Sequence, residues 1–224
     1  MNKMCIRDRC NGEDAKPLLF DKEKAADMEE NRSKKIVVEL IGGVGTGKSR
    51  VLDILKEDYQ AVVIQADEVA KHLEEKGQPG LAQLTETFGR EILDPEGNLD
   101  RAAFARKIFQ NPEALEQVNA IIHPLVWNWI HKRVREIQRG LVIVETAVPD
   151  KNPGDIYQEV WYLYTLRETR ISRLMENRGY SREKCLQMMA NQLSEEEYRS
   201  LSDRELDNNG SPEDIKAQLK DILG

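Results

Sequence analysis

A parallel α/β fold is what this sequence predicts, on three observations. Short β-branched apolar runs recur along it: KIVVELIG from Lys35, AVVIQA at 61–66, LVIVETA at 141–147 and EVWYLYT at 159–165. Helical spacing follows the first two, with Val51, Leu52, Ile54 and Leu55 within Lys48–Glu57 and a further stretch over Asp67–Lys76. A glycine-rich turn joins the first strand to its helix. Runs of this length, flanked by Gly and Pro, read as strands buried on both faces. Strands that alternate with helices pair in parallel through right-handed crossovers, which gives a doubly wound sheet with ligands at the strands' carboxyl ends.

The remaining elements follow in order. After the second helix, GQPG halts the helical pattern. The middle of the chain then turns helical without strands: Leu81–Phe88, Arg101–Gln110, Pro112–His123 and Leu125–Arg139, with Asn111 capping and Pro112 in the first turn of the third. Consecutive helices of this kind predict a subdomain beside the sheet, its last two helices meeting at a junction where His123 packs before Pro124. Trp127, Trp129 and Ile130 read as core or subdomain interface. Beyond the fourth strand, Thr165 and Glu168 have the spacing of a capping box, opening a helix from Arg167. Helices from Ser181, Ser194 and Pro212 follow, the last capped by Ser211, with RELDN before it as a short final strand.

Composition narrows the class. The chain has 224 residues, 40% of them hydrophobic, which is enough for one good core. A net charge of -7 opposes general binding to nucleic acid or membrane surfaces, both of which are anionic. No apolar run approaches the roughly 20 residues of a bilayer span, and a cytoplasmic location is the expectation. Cys5, Cys10 and Cys185 are odd in number and lack metal-ligand spacing, so neither a disulfide framework nor a zinc site is expected, and Cys185 packs in a helix. Residues 1–33 read as a weakly structured leader. Within it Met4–Arg9, MCIRDR, matches the translation of a transposon end used in sequencing libraries, and we read it as an assembly artefact.

The glycine-rich turn carries the chemistry. Gly42–Ser49, GGVGTGKS, fits GxxxxGKS/T in full, between a buried strand and the head of a helix. Its glycines let the backbone wrap a phosphate, with N–H groups and the helix dipole facing the anion. Lys48 reaches the β- and γ-phosphates of a nucleoside triphosphate, and Ser49 offers its hydroxyl to Mg²⁺. Asp67, just past the second strand, is placed either to take a proton from an acceptor hydroxyl or to cap its helix, and the two roles are compatible. Arginines stabilise a transferring phosphoryl group, and Arg167, Arg170, Arg173, Arg178 and Arg182 are gathered in a segment that looks like a lid.

From about Lys35 to the C-terminus the ordered motifs resemble the dephospho-coenzyme A kinase family. They are GGVGTGKS, ADEVA after the second strand, GQPGL, FGREILDPEGNLDRAAFARKIF, IIHP, RLMENRGYS, NQ at Asn191 and Gln192, and DNNGS at 207–211. The resemblance implies a P-loop three-layer α/β/α core with a parallel sheet over 34–224, a helical substrate-binding subdomain at about 78–139 and a helical lid at about 167–200. It implies transfer of the ATP γ-phosphate to the ribose 3′-hydroxyl of dephospho-CoA with Mg²⁺, the last step of coenzyme A biosynthesis. The catalytic positions it implies are Asp67, Lys48 and Arg173. ATP and its phosphates fall to Gly43, Val44, Gly45, Thr46, Gly47, Lys48, Ser49 and Asn208, the acceptor to Asp67, Arg101 and His123, and the metal to Ser49. Small molecules are the expected partners of a monomer, without nucleic acid or membrane.

The sequence departs from the family pattern at several points. Ile41 stands where Thr is usual, Gln65 replaces the first Asp of DAD, Arg50 replaces a small residue, and Asn177 stands where Arg is common, with Arg178 beside it. ETAVPD at Glu145–Asp150 replaces PLLFE. Two other readings therefore stay open: another P-loop small-molecule or nucleotide kinase, and a degenerate relative that holds nucleotide without transferring phosphate.

Overall fold

The computed structural model describes residues 34–109, 111–147, 149 and 156–224. The leader, MCIRDR, Cys5, Cys10 and most of the loop after the third strand lie outside the described residues. Five strands form one parallel sheet: β1 (Lys35–Ile41), β2 (Val62–Gln65), β3 (Gly140–Thr146), β4 (Glu159–Tyr164) and β5 (Arg204–Asp207), in the order β2-β3-β1-β4-β5. The apolar runs and RELDN all became strands. Register aligns Leu40 with Glu145 and Glu145 with Gln65, so these three residues form one row across the carboxyl edge.

Alternation along β1 divides the core. Ile36, Val38 and Leu40 pack with α1 (Lys48–Tyr59) and α9 (Pro212–Leu223) on one face. Val37 faces the other side, with α2 (Ala66–Leu73), α3 (Pro79–Phe88), α4 (Arg101–Phe109) and α5 (Pro112–Glu136). Leu40 is fully buried, and its truncation to Ala costs about 2–5 kcal/mol by general experience with cores. The helical tier between 79 and 136 shares this second core with Val37, Ile64, Val142 and Val144 of the sheet. Trp127 and Trp129 pack against it, and Cys185 is buried, as expected.

Two local expectations fail. The junction at His123 and Pro124 is absent, because α5 runs unbroken for 25 residues through Pro124. Its buried stripe, Ala114, Val118, Ile122, Val126, Ile130 and Val134, recurs every four residues on both sides of the proline. Burying that continuous stripe outweighs the one intrahelical hydrogen bond a proline removes. His123 and Pro124 lie on the opposite, exposed face, so His123 is not a packed histidine. Nor do Thr165 and Glu168 form a capping box. Leu166 is the N-cap of α6 (Arg167–Arg178) and makes no side-chain cap bond. Glu168 instead pairs through both oxygens with Arg182, at the start of α7 (Arg182–Ala190). The caps expected at Asn111 and Ser211 hold, and Ser181 and Ser194, the latter at the head of α8 (Glu195–Leu201), also cap rather than begin their helices, each of the four accepting a backbone N–H.

Candidate active site

Gly42–Ser49 links β1 to α1 at the carboxyl edge of the sheet. Gly47 is the N-cap of α1 in the left-handed region, at φ 92°, and the first turn contains no acidic residue. The first-turn N–H groups and the positive end of the helix dipole therefore favour an anion at this end. A Cβ on Gly47 would strike Asn208 Nδ2, and one on Gly43 would strike Arg170 Nη2, so these glycines admit side chains from distant elements. Ser49 is exposed at the start of α1.

Three donors converge on the Thr46 carbonyl: Asn208 Nδ2 at 2.7 Å, Thr165 Oγ1 at 3.0 Å and Arg173 Nη1 at 3.2 Å. Arg173 Nη2 also donates to the Asn208 carbonyl at 2.9 Å. Thr46, Thr165 and Asn208 are buried, so the Thr165 and Asn208 bonds to the Thr46 carbonyl are made away from competing water, and the Arg173 bonds are partly shielded. Thr165, which the local pattern assigns to a helix cap, is a brace of the phosphate loop. Asn208 follows β5 directly and anchors there by donating its N–H to the Tyr164 carbonyl.

The Val44 peptide is held at both ends. Its N–H donates to Gln192 Oε1 at 2.9 Å, and its carbonyl accepts from Arg170 Nε at 2.8 Å. Arg170 Nη2 donates to the same Gln192 oxygen at 3.1 Å, closing a ring. Arg170 is buried, which its place among the five arginines of this segment does not reveal.

Lys48 folds back on the loop. Its Nζ donates to the Gly42 carbonyl at 2.5 Å and lies 3.4 Å from Glu145 Oε1. Burial pushes the Lys48 amine below its ordinary value of 10.5, opposed first by Glu145 and then by Asp67, while Arg170 lowers it further. Glu145 also accepts from Gln65 Nε2 at 3.4 Å. The Gln65 that departs from DAD thus sits against a buried carboxylate from the neighbouring strand. A charged residue ending the apolar run LVIVE was the signal for Glu145, which sequence reasoning placed only in a substituted loop.

Asp67 is exposed in the first turn of α2, where Gln65 rather than Asp67 is the N-cap. The N-cap reading of Asp67 is therefore wrong, and its carboxylate lies within electrostatic reach of Lys48. Arg101 opens α4 and pairs with Glu74, just past α2, at 2.9 Å. Glu74 follows Asp67 by seven residues, about 10 Å along a helix. His123 lies on the exposed face of α5. Ile41 points into the core against Tyr162 and Tyr198, and Arg50 is exposed on α1, so neither departure lines the cradle. Tyr162 is stacked on Tyr198 with centroids 5.0 Å apart, and its phenol is pushed up to about 12, mainly by burial.

No cluster of three or more His, Cys, Asp or Glu among the described residues could hold a metal ion. Mg²⁺ in phosphoryl-transfer sites is bound largely by phosphate oxygens and water with one or two protein oxygens, and the exposed Ser49 hydroxyl at the head of α1 fits that requirement.

The sequence model of the dephospho-CoA kinase family matches residues 36–214. The chain is 33% identical over 191 residues to a dephospho-CoA kinase of Carboxydothermus hydrogenoformans, covering 84% of this chain and 92% of that protein. It is 35% identical over 188 residues to a dephospho-CoA kinase of Corynebacterium glutamicum, covering 82% and 96%. Among solved structures it is similar to a protein from Thermus thermophilus, with a TM-score of 0.71 at 29% identity over 85% of this chain and 97% of that one. It shares its fold with a dephospho-CoA kinase from Campylobacter jejuni, with a TM-score of 0.57 at 21% identity over 85% and 99%.

Proposed function

The chain belongs to the dephospho-CoA kinase family, and on that premise we propose that it transfers the γ-phosphate of ATP to the ribose 3′-hydroxyl of dephospho-CoA, giving coenzyme A and ADP. The observation that carries this reading is the meeting of donor and acceptor groups at one edge of the sheet: Lys48 on the phosphate loop, with Asp67 past β2 within its electrostatic reach. An acceptor hydroxyl beside Asp67 faces phosphates held at Lys48.

In the transfer, the 3′-oxygen bonds to the γ-phosphorus as the bond to the β-phosphate bridging oxygen breaks, and the hydroxyl proton passes to Asp67. That transition state is loose, so positioning and charge stabilisation dominate. Lys48 neutralises charge on the β- and γ-phosphates. Arg173 uses two N–H groups on backbone carbonyls and keeps the rest of its guanidinium for the phosphoryl group. The loop N–H groups from Gly43 to Ser49 cradle the phosphates, and Asn208 sets one wall of the nucleotide site. Arg101 and His123 serve the acceptor from the helical part at about 78–139, with 167–200 as the lid. The Ser49 hydroxyl would hold Mg²⁺ together with the nucleotide, and the ion would supply charge neutralisation of the phosphates. We place the enzyme in the cytoplasm as a monomer; no described helix is long and apolar enough to cross a membrane.

The test is incubation of purified protein with ATP, Mg²⁺ and dephospho-CoA, with CoA detected by mass and AMP, CMP and nucleosides offered in parallel. CoA formation is expected. ATP binding without CoA would leave a non-transferring relative, and turnover of AMP, CMP or a nucleoside instead would indicate another small-molecule kinase.

A further inference from the structure

Arg170 is a buried cation whose hydrogen-bond partners, the Val44 carbonyl and the Gln192 amide oxygen, are both neutral. Among the described residues no carboxylate lies within ion-pair distance of it. Glu195 is the acidic side chain in electrostatic reach, together with the phenols of Tyr162 and Tyr198, which are neutral at physiological pH. Burying a guanidinium without a counterion is costly. The cost is placed at a specific spot, because the Arg170 Nη2 group lies where a Cβ on Gly43 would be. Lys48, a second cation, feels it electrostatically from the same loop. Three cations, Arg170, Arg173 and Lys48, touch one loop, while Glu145 and Asp67 both act on Lys48, so the Arg170 end of the loop is left without an ion-paired carboxylate among the described residues.

Gln192 shows where the missing charge goes. Its Oε1 accepts from the Val44 N–H and from Arg170 Nη2 at once, at 2.9 and 3.1 Å. An oxygen bound by a loop N–H and a guanidinium together has the surroundings of a phosphate oxygen. Gln192 also lies immediately beyond the end of α7, so it can leave without dismantling a helix. A neutral amide yields the cation to an anion more readily than a carboxylate would.

We propose that Arg170 is a γ-phosphate-binding residue of this kinase and that the Gln192 side chain is the oxygen stand-in that the incoming γ-phosphate displaces. Resting on ATP as the donor, this adds a second arginine, behind Arg173, from the same helix. In the bound state the γ-phosphate oxygen accepts from Val44 N–H and Arg170 Nη2, while Arg170 Nε keeps its bond to the Val44 carbonyl. ADP lacks that oxygen and leaves Gln192 in place.

The experiment compares ATP and ADP dissociation constants by calorimetry for wild type, Arg170→Gln and Gln192→Ala, with circular dichroism to confirm folding. Arg170→Gln should weaken ATP about tenfold or more and ADP less than about threefold, so the ATP-to-ADP preference collapses. Equal losses for both nucleotides would show that Arg170 merely braces the loop and would overturn the proposal. Gln192→Ala should bind ATP as well as wild type or more tightly; loss of ATP affinity there also overturns it. If Arg170→Gln does not fold, Arg170→Lys keeps the charge without the fork and should show an intermediate preference, an unchanged one being contrary. The parent reading is judged separately, on ATP binding and CoA formation by wild type in the same preparation. If both are present and the variant keeps the wild-type preference, Arg170's role alone is rejected.

Discussion

On the donor side of the cleft, one backbone carbonyl is held by three side chains from three separate segments, all within 3.2 Å. On the proposed acceptor side, Asp67, Arg101 and His123 stand exposed on three different helices, and Arg101 is steadied by one ion pair. The contrast follows from what each half has to recognise. A triphosphate is bound by backbone N–H groups, whose directions depend on the loop's own conformation, so errors in the loop become errors in the reacting phosphorus. The acceptor is met by flexible side chains that the substrate itself can order, at an entropic cost drawn from its binding. Disturbing the donor side should therefore alter chemistry and nucleotide affinity together, whereas the acceptor side should separate them.

The largest expected effect tests that separation directly. Asp67→Asn keeps shape and exposure but removes the proton acceptor, and kcat should fall by about 10²–10⁴-fold with ATP affinity within about threefold. Single-turnover kinetics with an ATP titration decides it. Parallel losses in turnover and ATP affinity would move Asp67 to the donor side and erase the distinction.

The next effect probes the seam between the halves, where Glu145 meets Lys48 at 3.4 Å. In the proposed mechanism the charged Lys48 amine binds phosphate, and burial lowers its folded-state value below 10.5. ATP affinity is thus retained below that lowered value and lost as pH rises through it. Folding stability runs the other way across the same window: the unfolded chain binds the Lys48 proton more tightly, so this contribution to stability increases as pH rises toward 10.5. Glu145→Gln removes the strongest influence holding the proton on, with Asp67 left to favour it and Arg170 to oppose it. The alkaline midpoint of ATP binding should therefore move down relative to wild type. A midpoint that does not move would mean that Glu145 is no counterion for Lys48.

Those halves were also unequally legible in the sequence. GGVGTGKS is readable because a phosphate loop is local: its glycines, lysine and serine fall within eight consecutive residues, after a strand and before a helix. Its braces are not local. Thr165, Arg173 and Asn208 lie 119, 127 and 162 residues from Thr46, and nothing in their own neighbourhoods announces the contact. Thr165 even satisfies a nearby pattern, the capping box, that the structure does not use. Pro124 misled in the same way, since the local rule for proline gave way to a stripe of apolar residues packed along the full helix. Arg170 was visible only as one arginine among five, because burial is a tertiary property. The sheet, by contrast, was legible throughout, since period-free apolar runs are what a doubly covered parallel strand requires.

The smallest expected effect falls on Arg101. Its pair with Glu74 joins an arginine side chain 62% exposed to a carboxylate only 13% exposed, so breaking it from the arginine side should cost on the order of 1 kcal/mol. If the acceptor side is ordered by its substrate, Arg101→Ala should raise KM for dephospho-CoA about three- to tenfold, leaving kcat and KM for ATP near wild type. Glu74→Ala refines the reading, because it frees Arg101 without removing it. Where the ion pair orients Arg101 toward the acceptor, Glu74→Ala should share part of the KM increase. Where the pair merely occupies the arginine until substrate arrives, KM should fall slightly below wild type. A change in KM for ATP from either variant would show that the helical tier communicates with the phosphate loop, and that the donor and acceptor halves are one mechanical unit.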